Sequence, residues 1–302
     1  MAIFNKTKPI PEQETAGETE RIYHEIRQTL RSTGVPQLFC SWAGYGKFLP
    51  LVWSALWPNA ETRLYEEASD RLRAEGTRLI KPMEKPDVSA RVRLGESQTY
   101  HLRASLDLYH YLYPKLLVLT SAVQRALAGE RIGKEENREL ERIERGAPAG
   151  MIAMELAPEE PQDPRLRALF EEIKKTSKLP SVVMEIRTLA LWPDYLFEAR
   201  KRLMPIIVGP EYKQAEECLK QTARKEAGNL PYPVSIPREK VKGVVPDVGE
   251  ITALTSDFER AYARCILNIA LLQCDWRDPD VLASSPFPAP SRRHVAAAGG
   301  MA

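Results

Sequence analysis

Cysteine and histidine are scarce in this chain of 302 residues, which has four of each. The cysteines lie 178, 47 and 9 residues apart, which fits neither a C-x-x-C redox pair nor a zinc site. They are Cys40, Cys218, Cys265 and Cys274. We expect them to be reduced, and packed or exposed by accident. The histidines show no H-E-x-x-H or comparable spacing, so the sequence predicts no metal site.

Motifs for nucleotide cofactors and for serine hydrolysis are also missing. The chain contains no G-x-G-x-x-G, no G-x-x-x-x-G-K-[ST] and no G-x-S-x-G. These motifs bind dinucleotides, cradle phosphate chains or present a nucleophilic serine, so their absence removes the usual support for those chemistries. The sequence therefore predicts no cofactor.

Neither sign of charge is in large excess, and long apolar runs are missing. Lys and Arg number 43 against 41 Asp and Glu, without a basic block, which argues against a nucleic-acid partner. The longest apolar runs, around Leu116–Val123 and Ile266–Leu272, are far shorter than the roughly 20 residues that span a bilayer. The N-terminal stretch MAIFNKTKPIPEQE lacks the apolar centre of a secretory signal. We predict a cytoplasmic protein without a membrane partner.

Helical periodicity dominates what is present. Apolar residues recur at a spacing near 3.6, among many strong helix formers, in six segments. These segments are Glu18–Arg31, Asn59–Gly76, Leu102–Gly129, Pro164–Ser177, Glu211–Gly228 and Ile251–Gln273. No hairpin signal separates alternating strands, so the predicted fold class is all-α.

An internal repeat appears when the chain is shifted by 147 residues. Ten identities fall between positions 25 and 72, among them Glu25 with Glu172 and Tyr65 with Tyr212, against about three expected by chance. We infer two homologous helical halves that form an internal pseudo-dimer. Two similar halves share one pseudo-symmetric interface, where a cleft can form.

The repeat divides the chain into five predicted segments. Residues 1–17 are an N-terminal extension, 18–145 the first helical repeat, 146–164 a Pro-rich crossing linker and 165–276 the second repeat. Residues 277–302, rich in Ser, Pro, Ala and Gly, are predicted to be a disordered tail.

One carboxylate interrupts an apolar stretch of the second repeat, LPSVVMEIRTLALWPDYL. Pro193 ends the helix of this stretch and begins another, so Asp194 falls in a first turn, where a carboxylate is common. Glu185 has no such position, and its counterpart in the first repeat is Leu38. An ion pair at the edge of the core is one explanation, and a site placed on one copy of a repeated helix is the other.

The order of several segments resembles a known family. VVMEIRTLALWPDYL, LMPIIVGPEYKQA, LYHYLYPKLLVLTSAV, IERGAPAG and NLPYPV together are similar to the group I 2-haloacid dehalogenases, from about Glu18 to Gln273. The resemblance implies an all-helical, alkylhydroperoxidase-like pseudo-dimer with the active site between its halves. It also implies a small carboxylic acid substrate and no cofactor or metal. A carboxylate activates water, which displaces halide from the α-carbon with inversion and without an enzyme ester.

The family pattern carries over to this chain with three departures. The family base is an Asp five residues after a Pro, and here that position is Glu185, five residues after Pro180. Glu is one methylene longer, which displaces the carboxylate by roughly an ångström, enough to cost about a hundredfold in rate unless the helix compensates. Met184 replaces a hydroxyl residue, and Tyr113 stands where relatives tend to have Asn.

Further substrate-binding candidates, besides Tyr113 and Met184, come from matching places in the two halves. Phe39 and Trp42 are candidates for the halogen and alkyl wall, with ordinary core packing as the alternative. His110 lies one turn before Tyr113 and is either a site residue or a structural histidine. Tyr262 is a candidate donor to the substrate carboxylate, or a packing residue.

Two hypotheses follow for the function. The first is hydrolytic dehalogenation of short 2-haloalkanoic acids with Glu185 as the base. The second is a diverged or inactive member of the same fold that binds a small molecule or acts as a scaffold, with Glu185 merely ion-paired. Thiol-peroxidase chemistry is disfavoured because no C-x-x-C is present. A homodimer is among the assemblies that the sequence leaves open.

Overall fold

The computed structural model describes residues 7–135 and 140–292, and this part of the chain is helical, with two isolated β-bridges and no strand. The helices are α1 (Gly17–Leu30), α2 (Gln37–Ala43), α3 (Phe48–Ala60), α4 (Arg63–Ile80), α5 (Glu96–Leu127), α6 (Pro164–Ser177), α7 (Met184–Leu189), α8 (Pro193–Val208), α9 (Pro210–Gly228), α10 (Arg238–Lys242), α11 (Val248–Gln273) and α12 (Pro279–Leu282). The all-α prediction is confirmed. None of the helices in the two described ranges combines the length and the apolar character that crossing a membrane needs.

Local signals set several helix boundaries. The prediction for α6 matches the structure at both ends, where Pro164 follows Asp163, whose side chain accepts a hydrogen bond from the backbone N–H of Arg165 at 2.7 Å. The predicted start of α4 at Asn59 is wrong, since Asn59 lies in the last turn of α3, which ends at Ala60. The side chain of Thr62 caps the new helix by accepting from the N–H of Tyr65 at 3.2 Å.

The order of the helices agrees with the predicted repeat. Helices α6, α7 and α9 each begin 147 positions after α1, α2 and α4. Tyr65 and Tyr212, aligned by the same shift, each donate a hydrogen bond to a backbone carbonyl of a long helix, Lys115 at 2.9 Å and Arg264 at 3.2 Å. The repeat and its boundaries at 18–145, 146–164 and 165–276 stay predictions.

Helices α5 and α11 form the centre of the fold. They make the most extensive helix–helix contact among the described residues, and long runs of both are buried, such as 108–119 in α5. The segment 146–164 crosses between the two parts of the chain. It contacts the end of α1 through Thr33, which donates to the carbonyl of Ile152 at 2.8 Å, and α7 through Thr188, which donates to that of Glu155 at 2.6 Å.

The prediction of a disordered tail over 277–302 is wrong for residues 277–292. The guanidinium of Arg277 pairs with Asp107 of α5, and α12 follows, with its Leu282 only 2% exposed. Ser291 then pairs with Ile143 in a β-bridge. Composition alone misled the prediction, because apolar contacts, ion pairs and hydrogen bonds from helix side chains to its backbone dock this polar segment. Residues 293–302 of the predicted tail, and 1–6 of the predicted extension, lie outside the described residues.

Leu282→Ala is expected to lower the free energy of unfolding by about 2–3 kcal/mol, because it leaves a cavity under α12. The neighbouring Val281 is 62% exposed and provides the matched control. Val281→Ala should stay within about 0.5 kcal/mol of the unmodified protein. Urea unfolding followed by circular dichroism measures both, and equal effects would show that the docked segment does not contribute to stability.

Candidate active site

Glu185 is buried at the start of a short helix. Its side chain is 3% exposed, and it lies in the first turn of α7. The sequence prediction that Glu185 has no first-turn position is therefore wrong, because α7 begins at Met184, two residues later than the apolar pattern indicates. The N–H groups of a first turn favour a carboxylate, but a buried charge still needs partners of its own.

Those partners are neutral donors from the two central helices. The Tyr113 hydroxyl of α5 donates a hydrogen bond to Oε2 of Glu185, and the Cys265 thiol of α11 donates to Oε1 at 2.9 Å. The backbone N–H of Glu185 in turn donates to the Tyr113 oxygen at 3.3 Å. No Lys, Arg or His of residues 7–135 and 140–292 forms an ion pair with Glu185. The ion-pair explanation for Glu185 is thus not supported.

This environment shifts the proton affinities of all three groups. Burial raises the pKa of Glu185, and the hydrogen bonds from Cys265 and Tyr113 oppose that rise. Burial, together with the nearby Glu185, raises the pKa of the Cys265 thiol and of the Tyr113 phenol well above their ordinary values. The thiol and the phenol therefore stay protonated and act as donors to the Glu185 carboxylate.

Aromatic rings pack around Tyr113. Its ring stacks on Tyr109 with centroids 5.5 Å apart and lies 5.3 Å from the ring of Tyr262. The Tyr262 hydroxyl is buried beside the Leu38 backbone and makes no hydrogen bond of ordinary geometry to any residue that the structure describes. Of the predicted site residues, the structure thus brings Tyr113, Tyr262 and Glu185 together, with Met184 next to Glu185 at the start of α7 and 2% exposed.

Phe39, Trp42 and His110 have other surroundings. Phe39 and Trp42 pack edge to face at 5.5 Å, and the Trp42 indole donates to the Thr255 hydroxyl at 3.3 Å. A ring nitrogen of His110 lies 2.8 Å from the carbonyl oxygen of Leu282. Burial, reinforced by Arg73, lowers the pKa of His110 to about 3, so the ring is neutral. This geometry is typical of a structural histidine. No contact described above supports the predicted site role of His110.

A cavity of about 70 Å³ adjoins Glu185. Its walls come from α6, α7, α8 and α11, all within residues 169–272, and not from both halves as the resemblance implies. Phe39, Trp42, Tyr113 and Tyr262 do not line it. Three polar side chains, Glu185, Arg200 and Asn268, face an otherwise apolar wall. The described residues contain no group of three or more His, Cys, Asp or Glu that could hold a metal ion.

Sequence reasoning missed Cys265, Arg200 and Asn268. A signal for the first was present, since Cys265 lies three residues after Tyr262 and Asn268 three residues further, one helical turn each on the same face of α11. Arg200 carries no such signal, because its contribution depends on how α8 packs against α6.

The fold and the site define a class: all-helical proteins with a buried carboxylate, without a cationic partner, beside a small apolar cavity. The chain belongs to the family described as halocarboxylic acid dehydrogenase DehI, whose family model matches residues 34–186. This finding confirms the resemblance found in the sequence.

Individual relatives agree with the family assignment. The chain is 28% identical over 233 residues to a configuration-inverting 2-haloacid dehalogenase of Pseudomonas sp. (strain 113), covering 74% of this chain and 75% of that protein. It is 26% identical over 238 residues to an (R)-2-haloacid dehalogenase of Pseudomonas putida, with 77% and 79% covered. The structure of a D-2-haloacid dehalogenase mutant in complex with D-2-CPA has a TM-score of 0.79, at 22% identity over 89% of this chain and 95% of that one. At that identity the structural likeness establishes the fold.

Proposed function

We propose that the protein hydrolyses 2-haloalkanoic acids and that Glu185 activates the attacking water. The observation that carries the proposal is a carboxylate that is buried, lacks a cation and adjoins a cavity, in a chain whose relatives are named 2-haloacid dehalogenases. Desolvation makes such a carboxylate a stronger base than an exposed one, because burial raises its pKa.

The residues support one chemical sequence. A carboxylate offers about four acceptor positions, and Tyr113 and Cys265 take one on each oxygen of Glu185, which leaves room for a water. Glu185 removes a proton from this water while the water oxygen bonds to the α-carbon. The carbon–halogen bond breaks, and the halide leaves with its electron pair. The product is the 2-hydroxy acid, and Glu185 then returns its proton to solvent.

The non-catalytic alternative has weaker support, because it rests only on the crowding around Glu185. Tyr113 is bulkier than the Asn that relatives tend to have, and both carboxylate oxygens of Glu185 already have a protein donor. A site crowded in this way would suit a diverged member of the family that binds a small molecule or acts as a scaffold. The two readings differ in a single observable, the release of halide.

The test is halide release from each enantiomer of 2-chloropropionate, with the configuration of the lactate product determined. Direct attack by water predicts inversion. A single turnover in ¹⁸O-labelled water should place the label in the product and none in Glu185, as mass spectrometry of the peptide would show. Label in Glu185 would contradict direct attack, and the lack of any halide release would favour the alternative.

The pH profile of halide release provides a further prediction. The rate should fall as the pH drops through the raised pKa of Glu185, so the acid limb should lie above the ordinary value for Glu of about 4.3. Cys265→Ala removes a hydrogen bond that lowers this pKa and should move the limb to higher pH. Cys265→Ser keeps a donor and should leave it nearly in place. The profile of kcat/KM measures the shift, and an unmoved limb in the Ala variant would contradict the assigned hydrogen bond.

The remaining sequence predictions about cellular context are retained as part of this proposal. They are a cytoplasmic location, a small carboxylic acid as the partner in place of nucleic acid, and a homodimer as one open assembly state. They rest on composition and on the family resemblance.

A further inference from the structure

The cavity beside Glu185 has the polarity of a site for an amphiphilic anion. Its polar groups are Glu185, which is buried, Asn268, which is partly buried, and Arg200, whose side chain is 30% exposed. Met204 on the next turn of α8 is 40% exposed, so Arg200 lies toward the solvent side of the cavity and Glu185 toward the inside. The apolar wall separates these two charges.

Asn268 has a donor to spare at this cavity. Its Oδ1 accepts a hydrogen bond from the Tyr212 hydroxyl at 2.7 Å, which orients the amide. Among the residues that the structure describes, none accepts a hydrogen bond from its Nδ2. Asn268 lies one turn after Cys265 on α11, a rise of about 4.5 Å, and the Cys265 thiol contacts Glu185. A group held by Asn268 is therefore close to the carboxylate of Glu185.

Arg200 also retains free donors. One of its terminal nitrogens pairs with Glu172 of α6 at 2.5 Å, and Glu172 is 56% exposed. A guanidinium has five N–H groups in a planar fork that suits a carboxylate, so one exposed ion pair leaves several of them available. An exposed pair of this kind is weak, and a ligand carboxylate can share or replace it.

We propose that this cavity binds the substrate carboxylate at Arg200 and Asn268, and that its apolar wall selects 2-haloacids with an alkyl chain longer than that of haloacetate. The reaction in this inference rests on the proposed function, whereas the binding of the carboxylate does not. The carboxylate lies at the outer, cationic side of the cavity, and the α-carbon faces the water on Glu185. The chain packs against residues such as Leu189, Leu203 and Ile269.

Binding of unreactive acids tests the proposal without any turnover. Calorimetry with acetate, butanoate and hexanoate should give affinities that rise about fourfold per methylene until the cavity is full. Butanamide, which has the shape of butanoate without its charge, should bind at least about tenfold more weakly. Equal binding of amide and acid, or no detectable binding of any acid, would overturn the proposal.

Matched variants separate the anchor from the ion pair. Arg200→Gln should weaken butanoate binding about tenfold or more, whereas Glu172→Gln breaks the same ion pair and should keep or strengthen binding. Ala199→Leu, at the cavity wall, should reduce hexanoate binding while sparing acetate. Circular dichroism must show unchanged helix content in each. Equal losses in the Arg200 and Glu172 variants would show that the ion pair supports the fold alone, and would overturn the anchor.

Kinetics distinguish the failure of this inference from the failure of the proposed function. If butanoate binds as expected but no 2-haloacid releases halide, the cavity assignment stands and the dehalogenase proposal fails. If halide is released and Arg200→Gln leaves KM unchanged, the dehalogenase proposal stands and the anchor fails. A raised KM with little change in kcat is the result expected for Arg200→Gln.

Discussion

Replacing Glu185 by Gln is expected to lower the rate of halide release by about 10²–10⁴-fold, the usual loss when a general base is removed. Gln keeps the size and polarity of Glu but cannot take a proton from water. Glu159→Gln is the matched control, because Glu159 is 37% exposed, pairs with Arg187 of α7 and does not line the cavity. Steady-state halide release measures the effect, with circular dichroism as the check on folding. An undiminished rate in the Gln variant would exclude Glu185 as the base.

Glu185→Asp restores the residue that the family uses. The rate of halide release in this variant shows whether the pocket around Tyr113 is shaped for Glu. The hydrogen bonds from Tyr113 and Cys265 reach a Glu carboxylate, and Asp is one methylene too short to receive both. A displacement of this size can cost about a hundredfold in rate. Adding Tyr113→Asn restores both family residues and should recover part of the loss. Full activity in the single Asp variant would show that the pocket is not shaped around Glu.

The second large effect is expected at Lys115, which lies with Glu66 in the core. Their side chains are 0% and 2% exposed, with Nζ 2.6 Å from Oε2 of Glu66 and 4.3 Å from the centre of the Tyr111 ring. Lys115→Met leaves the Glu66 charge buried without its partner and should lower the free energy of unfolding by about 3–5 kcal/mol. Urea unfolding measures this. Arg21→Gln, at the exposed pair with Glu25, is the control and should change stability by less than about 0.5 kcal/mol.

The sign of the pH dependence follows from the same pair. Burial alone would raise the pKa of Glu66, but Lys115 overrides burial and the net shift is downward. The pair thus stabilises the folded protein above the unfolded pKa of Glu66, and this stability is lost as the pH falls through the folded pKa. The loss of unfolding free energy in Lys115→Met should therefore become smaller at acid pH. Glu66→Leu added to Lys115→Met should recover stability, because it removes the orphaned charge. A deficit independent of pH would contradict the ion-pair explanation.

The sequence predicted the ends of four long helices to within three residues, because their signals are local; these helices are α1, α6, α9 and α11. Pro164 marks the start of α6, and Gly228 marks the end of α9. Both residues act on the local backbone and do not depend on tertiary contacts. Short helices such as α2 and α12 lack an amphipathic period and depend on what they pack against. Leu282 illustrates the difference, since its burial helps to hold a segment whose composition is typical of disorder.

The sequence placed Glu185 and Tyr113 in one candidate site, and the structure brings their side chains into contact, while their roles stay predictions. These two residues occupy positions of the family pattern. The pattern therefore indicated that they share a site, although they are 72 residues apart in the sequence. Cys265 was missed because its spacing of one helical turn from Tyr262 was not used, although it places the two residues near each other on α11. Phe39 and Trp42 were placed opposite the base by analogy between the halves, yet the cavity lies on helices of the second half alone. The position of a cavity next to a buried residue depends on how the surrounding side chains pack, and a sequence does not show this packing.

We expect the extensive contact between α5 and α11 to make the two parts of the chain fold and unfold together. Neither long helix can detach without exposing the apolar surface of the other, so intermediates with one half intact are costly. Amide hydrogens in the middle of α5 should then exchange with solvent only through global opening. Because Tyr113 and Cys265 belong to these two helices, we expect both donors to stay in place around Glu185 until α5 and α11 unfold. Inactivation by heat should then coincide with the loss of helix content.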